Sequence, residues 1–321
     1  MKNLVKMLSG AAALCLGMGL VLPASAAQLS GDARAAIPHD VQQLIVIDYR
    51  AMQNSPAAMQ LKNKIMPPEL KSLEHALQVS GMNDNHDVDE LAFAAFRPKG
   101  STGDMTRIIG LAQGQFTLDD IMANFKKKKI KPVLVRDNKI YPMGSSGMQV
   151  VFLNPTTMVF GQSDSLKQAL NARDGIQANF LTNNTMTDMM ASVQDEPLWS
   201  ILDQKGTQTM MRSLMGQASQ MGDFETIQKR ILSSYYTMDF QNGVKFNLDV
   251  VTPDTFTAAT MASLLNAAAL YKKMSGTDIE KQAIDGTKID SSSGKLIVTY
   301  SSSDQQFATL LQSSLFQSVV H

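Results

Sequence analysis

Short apolar runs rich in β-branched residues alternate along this chain with longer segments that have helical periodicity. In the first half, the apolar runs predict strands at 44–47, 91–96, 106–112, 133–135, 139–141, 149–153 and 158–160. Helices are predicted from Pro56 to about Val79, with a break at Pro67-Pro68, and at 117–129 and 163–172.

The second half repeats this order. Strands are predicted at 198–202, 232–240, 244–251, 288–290 and 295–299. A methionine-rich helix is expected at 207–219, a long helix after Thr252 as cap and Pro253 at the first position, and a last helix after Ser303-Asp304.

The recurrence of this order predicts an internal duplication of a β-α-β-β-α-β-β-α unit. The expected fold class is α+β, with two ferredoxin-like repeats whose helices pack on one face of a mainly antiparallel sheet. Coincidence is the alternative, because similar α+β orders are common.

One hairpin can be predicted in register. A three-residue loop, Gln241-Asn242-Gly243, pairs Met238 with Phe246 and Tyr236 with Leu248, and it sets Asp239 opposite Lys245. A two-residue loop would mix charged and apolar residues on each face. Because one face must be apolar, we predict the longer loop, with Gly243 in the left-handed conformation.

The N-terminus has the features of a secretory signal peptide. Lys2 and Lys6 precede an apolar run at 8–22, and small residues follow Pro23. We therefore expect a periplasmic or secreted protein with no membrane span after signal removal. Lipidation at Cys15 is the alternative, which the large residue Leu14 disfavours.

Five segments are expected along the chain. They are a signal peptide at 1–26, a tether at 27–40, repeat A at 41–175, a connecting segment at 176–195 and repeat B at 196–321.

The charge balance and the cysteine content limit the classes of partner and site that this chain could have. The chain has 29 basic and 29 acidic residues, and two of the basic ones lie in the signal. This balance gives no reason to expect a nucleic-acid partner. The only cysteine is Cys15, so a mature protein would have no disulfide, thiolate metal site or cysteine nucleophile.

The histidines are scattered, which predicts neither a zinc site nor a nucleophile–base pair. They are His39, His75, His86 and His321. The oxygen-rich segment 83–90 could attract calcium, but it lacks the layout of an EF-hand loop, and an Asx-rich turn is favoured. We predict no metal site and no cofactor.

Ser292-Ser293-Gly294-Lys295 matches the Ser-x-x-Lys pattern of penicillin-interacting enzymes. In those enzymes the serine begins a helix, whereas this serine lies in a predicted hairpin turn. We therefore discard this motif.

Clustered methionines suggest copper binding as one hypothesis, since thioethers bind Cu(I). Met211 and Met215 are one helical turn apart, as on a core face, so core filling is the favoured interpretation. The cluster comprises Met186, Met189, Met190, Met210, Met211, Met215 and Met221.

Two further features have structural interpretations. The basic run at 126–129, with Lys131, suits the C-terminal end of a helix, although an anionic partner is conceivable. Trp199 could anchor a sugar or peptide ligand, but half-buried packing is the more common role of a single tryptophan.

The strings 44–48, 152–161 and 197–203 resemble an uncharacterised family of exported bacterial proteins with a repeated α+β layout. The resemblance covers most of the mature chain. It implies an envelope or secreted protein and carries no functional residues.

The hypothesis favoured by the sequence is a non-enzymatic binding or scaffold protein of the cell envelope, with an envelope protein or peptide as partner. Enzymatic activity stays open, and neither catalytic nor ligand-binding residues can be assigned. A periplasmic hydrolase is one alternative, with Asp48 and Asp203 as its candidate carboxylates, each at the end of a first strand. The structural interpretation of both residues is that they cap the following turn. Copper binding through Met210, Met211 and Met215 is the other.

Overall fold

A computed structural model describes residues 28–98, 105–144, 146–215, 224–313 and 316. The predicted signal peptide and His321 lie outside the described residues. Within them, no helix has the length and apolar character needed to cross a membrane.

The strands of the described chain form one twelve-stranded sheet in the order β11-β12-β10-β9-β8-β1-β2-β3-β7-β6-β5-β4, and every neighbouring pair is antiparallel. The strands are β1 Val41–Asp48, β2 Val88–Phe96, β3 Arg107–Gly114, β4 Val133–Val135, β5 Asn138–Met143, β6 Met148–Asn154, β7 Thr157–Gln162, β8 Leu198–Leu202, β9 Ser233–Asp239, β10 Val244–Val251, β11 Thr287–Ser292 and β12 Lys295–Ser302.

Helices connect these strands. They are α1 Gly31–Ala36, α2 Tyr49–Gln53, α3 Pro56–Ile65, α4 Pro68–Val79, α5 Asp84–Asp87, α6 Leu118–Lys127, α7 Ser163–Arg173, α8 Asn184–Ala191, α9 Gln204–Met215, α10 Phe224–Gln228, α11 Thr255–Ser275, α12 Asp278–Asp285 and α13 Asp304–Leu310. The α+β class and the antiparallel sheet are confirmed.

The ferredoxin-like layout is not confirmed. A split β-α-β unit places another strand between its first two strands. Here β1 lies directly beside β2, and β8 lies directly beside β9. Outward from the central β1–β8 pair, the first half continues with β2, β3 and β7, and the second half continues with β9, β10 and β12. In each half, the last strand along the chain therefore pairs with the third.

The two faces of the sheet differ between the halves. We call the first face the one that carries Phe93 and Phe160 in the first half and Leu248 in the second. Here α4 and α6 cover the first half, while α9, α11 and α13 cover the second; Ala57 and Leu61 of α3 pack with Val244 and Phe307 of the second half.

The second face, which carries Leu44, Ala94 and Trp199, is covered by α1, α7 and α8 only along the first half and β8. Helices thus lie on both faces of the first half, where the expectation of one covered face is wrong, whereas the described helices that pack on the second half lie on its first face. Where β10 continues the second face, it carries exposed Lys245 and Asn247 and half-buried Asp249.

The hairpin register is confirmed. Lys245 pairs with Asp239, Phe246 with Met238 and Leu248 with Tyr236. Gly243 has φ +85°, the left-handed value required of a glycine in this loop. The alternation of apolar residues was therefore sufficient to choose between the two loops.

Two local predictions were wrong. The predicted tether contains α1, and Leu29, Ala33 and Ile37 from this segment are buried in the core of the second face. The long helix α11 is capped by Asp254 rather than Thr252. Asp254 Oδ1 accepts a hydrogen bond of 2.7 Å from the Thr257 N–H, whereas the Thr252 hydroxyl donates to the Gly294 carbonyl.

Candidate ligand pocket beneath helices α3 and α4

Helices α3 and α4 lie over the first face of the sheet and leave an apolar pocket beneath them. Ser55 caps α3 and Pro56 begins it, while Pro67-Pro68 separates α3 from α4. This break gives each helix its own direction. Leu61 of α3 packs toward α13, while Leu73 and Leu77 of α4 pack toward the sheet.

The pocket has an accessible volume of about 80 Å³, within about 580 Å³ of empty space that includes open solvent. Strands β2, β3 and β7 form its floor, and its walls are almost entirely apolar. The lining residues include Leu73, Leu77, Leu91, Phe93, Met158 and Phe160.

One polar cluster borders this apolar space. The Lys62 ammonium donates hydrogen bonds of 2.6 Å to the Tyr49 hydroxyl and 2.6 Å to Glu74 Oε1. It also lies 4.8 Å from the centroid of the Tyr49 ring. Burial acts to lower the pKa of Lys62, but the hydrogen bonds to Glu74 and Tyr49 outweigh it and raise the pKa above its ordinary value. Lys62 is therefore a charged group at the edge of an apolar pocket.

Asp48 and Asp203 are not brought together. Asp48 accepts from the Ala51 N–H and Asp203 from the Gly206 N–H, each at 2.7 Å, so both cap the following helix. Because β1 and β8 are antiparallel, the two carboxylates lie at opposite ends of the pair, about 20 Å apart along the strands.

Asp203 also borders a polar pocket with His39, Asp40 and Arg97. Burial raises the pKa of Asp203, while hydrogen bonds from the backbone and the charge of Arg97 oppose this shift. In this pocket His39 Nδ1 lies 3.0 Å from Asp40 Oδ1, while Asp203 accepts its hydrogen bond from the Gly206 N–H.

The methionines fill cores in two separate places. Met186 and Met190 are buried in the cluster on the second face, whereas Met211 is buried in that of the second half, with Met210 partly buried beside it. The side chain of Met215 and the whole of Met221 lie outside the described residues. The seven methionines of the sequence cluster are therefore not gathered in one place, but Met210 and Met211, on which the copper hypothesis rests, lie in the same cluster.

The remaining candidates have structural surroundings. Trp199 is fully buried in β8. Ser293 and Gly294 form the turn between β11 and β12, so the Ser-x-x-Lys match lies in a hairpin. His75 and His86 are exposed. Among the described residues, no group of three or more His, Cys, Asp or Glu side chains could hold a metal ion.

The sequence analysis missed Glu90, a buried carboxyl group on the second face. Burial, with repulsion from Asp48 and Asp89, raises its pKa to about 8, although a hydrogen bond from Gln113 opposes the shift. The signal was the alternation in β2, where Glu90 is in phase with the buried residues Ala92, Ala94 and Phe96.

No protein-family model matches this sequence, and no curated protein is significantly similar to it. Among solved structures, crystal form I of TP0453 matches with a TM-score of 0.50 and 10% sequence identity, over 90% of this chain and 99% of the other. Crystal form III gives a TM-score of 0.47 at 10% identity, over 88% of this chain and 99% of the other. At such low identity, the match to form I shows a shared fold and nothing about function.

Proposed function

We propose that this protein is an exported, non-enzymatic binding protein of the cell envelope and that it holds an apolar ligand beneath α3 and α4. The observation that carries the proposal is the pocket itself. Burial of apolar surface is the main driving force of folding, so apolar side chains normally pack against one another. Space left between leucine, methionine and phenylalanine side chains is therefore characteristic of a ligand site.

Export is proposed from the first 26 residues alone. Expression of the full chain in a bacterium, followed by fractionation and N-terminal sequencing, tests it. We expect a mature chain in the periplasm or medium that begins near Ala27. A cytoplasmic chain that retains Met1 would contradict it.

The neutral fluorophore N-phenyl-1-naphthylamine tests ligand binding, because its emission increases in apolar surroundings. We expect saturable binding by the wild type. Leu70 lines the pocket, so Leu70→Trp should fill it and weaken binding about tenfold or more. Ser72→Trp is the matched control, because Ser72 is exposed on the same helix. Binding that Leu70→Trp leaves unchanged would place the probe elsewhere.

The same strand order in the two halves supports an internal duplication as the origin of the fold. Two hydrogen bonds at the centre also correspond: the Asp48 N–H donates to the Pro197 carbonyl at 2.7 Å, and the Asp203 N–H donates to the Gln42 carbonyl at 3.0 Å. Superposition of 41–175 on 196–321 in a crystal structure should overlay five strands of each half, and unrelated backbone paths would refute the duplication.

The hydrolase and copper alternatives receive less support. Among the described residues that line the proposed pocket, Glu74 is the one carboxylate, and it is paired with Lys62. This described lining therefore offers no acid–base carboxylate pair.

A further inference from the structure

The polar cluster at the pocket combines a fixed acceptor with an exchangeable one. Tyr49 is 1% exposed and lies in the core on the first face, so its hydroxyl is held in place. The Glu74 side chain is 28% exposed, against 11% for Lys62. Glu74 can therefore rotate into solvent, where water would solvate its charge, while Lys62 stays beside the pocket.

A largely buried ammonium group needs an anionic acceptor, because charges are costly to bury without partners. Any ligand that displaced Glu74 would have to supply one. A carboxylate is the simplest replacement, since it has the same charge and the same acceptor atoms as Glu74.

We propose that the pocket binds a single-chain amphiphile with a carboxylate head group, that Lys62 binds this head group, and that Glu74 occupies the head-group position until the ligand displaces it. This inference rests on the proposed function. The hydrocarbon chain would lie along Leu73, Leu77 and Phe93, with its carboxylate directed toward Lys62.

Among the described residues that line the pocket, Lys62 is the one cation, and its single charge also excludes other head groups. A dianionic phosphate would bring one charge more than Lys62 can compensate in apolar surroundings. A cationic head group would be repelled by Lys62, and a neutral alcohol would not replace the negative charge of Glu74. The monocarboxylate is the head group that matches the charge of this cluster.

Fluorescence titration with 11-(dansylamino)undecanoic acid tests the proposal, with dodecanoic acid and dodecanol as competitors. In the wild type we expect dodecanoic acid to compete about tenfold better than dodecanol, as a charge-assisted hydrogen bond allows. Lys62→Met should remove this preference while retaining the apolar contacts. Circular dichroism checks that the variant is folded.

Glu74→Gln provides a second test that leaves Lys62 in place. A neutral amide is a weaker acceptor for the ammonium, so this variant should bind the acid several-fold more tightly than the wild type does. Gln78→Glu, on the next turn of α4, is the control for a change of charge at the pocket. By adding a negative charge it should weaken binding of the acid.

Two results would overturn the inference, and they differ in what they leave standing. If acid and alcohol compete equally and Lys62→Met changes nothing, the head-group assignment fails while an apolar pocket remains. If neither the dansyl probe nor the neutral naphthylamine binds, the proposed function fails together with it.

Discussion

The two halves of the sheet share the order of five strands, to which the first half adds β5 and β4 at its edge, but they differ in how they are buried. In the first half, helices cover both faces, and each face has its own hydrophobic cluster. In the second half, the described helices pack on the first face, while Lys245, Asn247 and Asp249 occupy the second face of β10. The same order of strands can thus give a three-layer or a two-layer structure. The number of layers depends on whether the side chains that point to the second face are apolar or polar.

The largest difference between the halves is expected from the second face. Phe96 is fully buried there in the first half, so Phe96→Ala should lower the free energy of unfolding by about 3–5 kcal/mol. Asn247 lies exposed on the same face of the second half, and Asn247→Ala should change stability by less than about 0.5 kcal/mol. Urea unfolding measures both. Similar losses would mean that the second face is also buried in the second half.

A pH-dependent difference is expected at Glu90. The first half places Glu90 opposite Gln113 on the second face, where the second half has Ser233 opposite Val251. Because the folded-state pKa of Glu90 is raised to about 8, the folded protein binds more protons than the unfolded chain above about pH 4.5. Its contribution to the free energy of unfolding therefore falls as the pH rises to about 8 and is constant beyond it.

Glu90→Gln should remove this loss. The stability difference between variant and wild type should be near zero at pH 4 and grow in favour of the variant to about 3 kcal/mol at pH 7. Unfolding in urea across pH 4–9 measures it, with Asp137→Asn, an exposed change of the same kind, as control. A difference that does not vary with pH would show that Glu90 ionises normally.

The smallest effects on stability are expected where the two halves are alike. Asp48 and Asp203 cap corresponding helices from corresponding strand ends, so Asp48→Ala and Asp203→Ala should each cost about 1 kcal/mol. Thermal or urea unfolding is the measurement. Asp→Asn at either position retains a capping oxygen and should restore most of the loss. A much larger cost at one site would mean that its carboxylate has a further role.

Much of the strand pattern could be predicted because period-two alternation is a local property. The β9–β10 register follows from placing Phe246 and Leu248 on one face, and no distant residue is needed to decide it. The predicted tether failed for the opposite reason. Leu29 and Ile37 are buried by contacts with residues far along the chain, which the small, polar composition of their neighbours did not indicate.

The pocket could not be predicted from the sequence. Its floor comes from β2, β3 and β7, and its polar cluster joins Tyr49, Lys62 and Glu74 from three separate helices. Only the packing of α3 and α4 over the sheet brings these groups together. Glu90 is a different case, since its alternation with Ala92 and Ala94 was visible in the sequence but was interpreted as part of an oxygen-rich turn.

The central pairing of β1 with β8 has a consequence for how the chain assembles. During synthesis, β1 can pair with β2 long before β8 emerges, so one side of an apolar strand remains open. The β8 strand of a neighbouring molecule offers the same hydrogen-bonding groups at that moment. Crowded molecules can therefore exchange second halves and form intertwined dimers, and refolding at low protein concentration should favour the monomer.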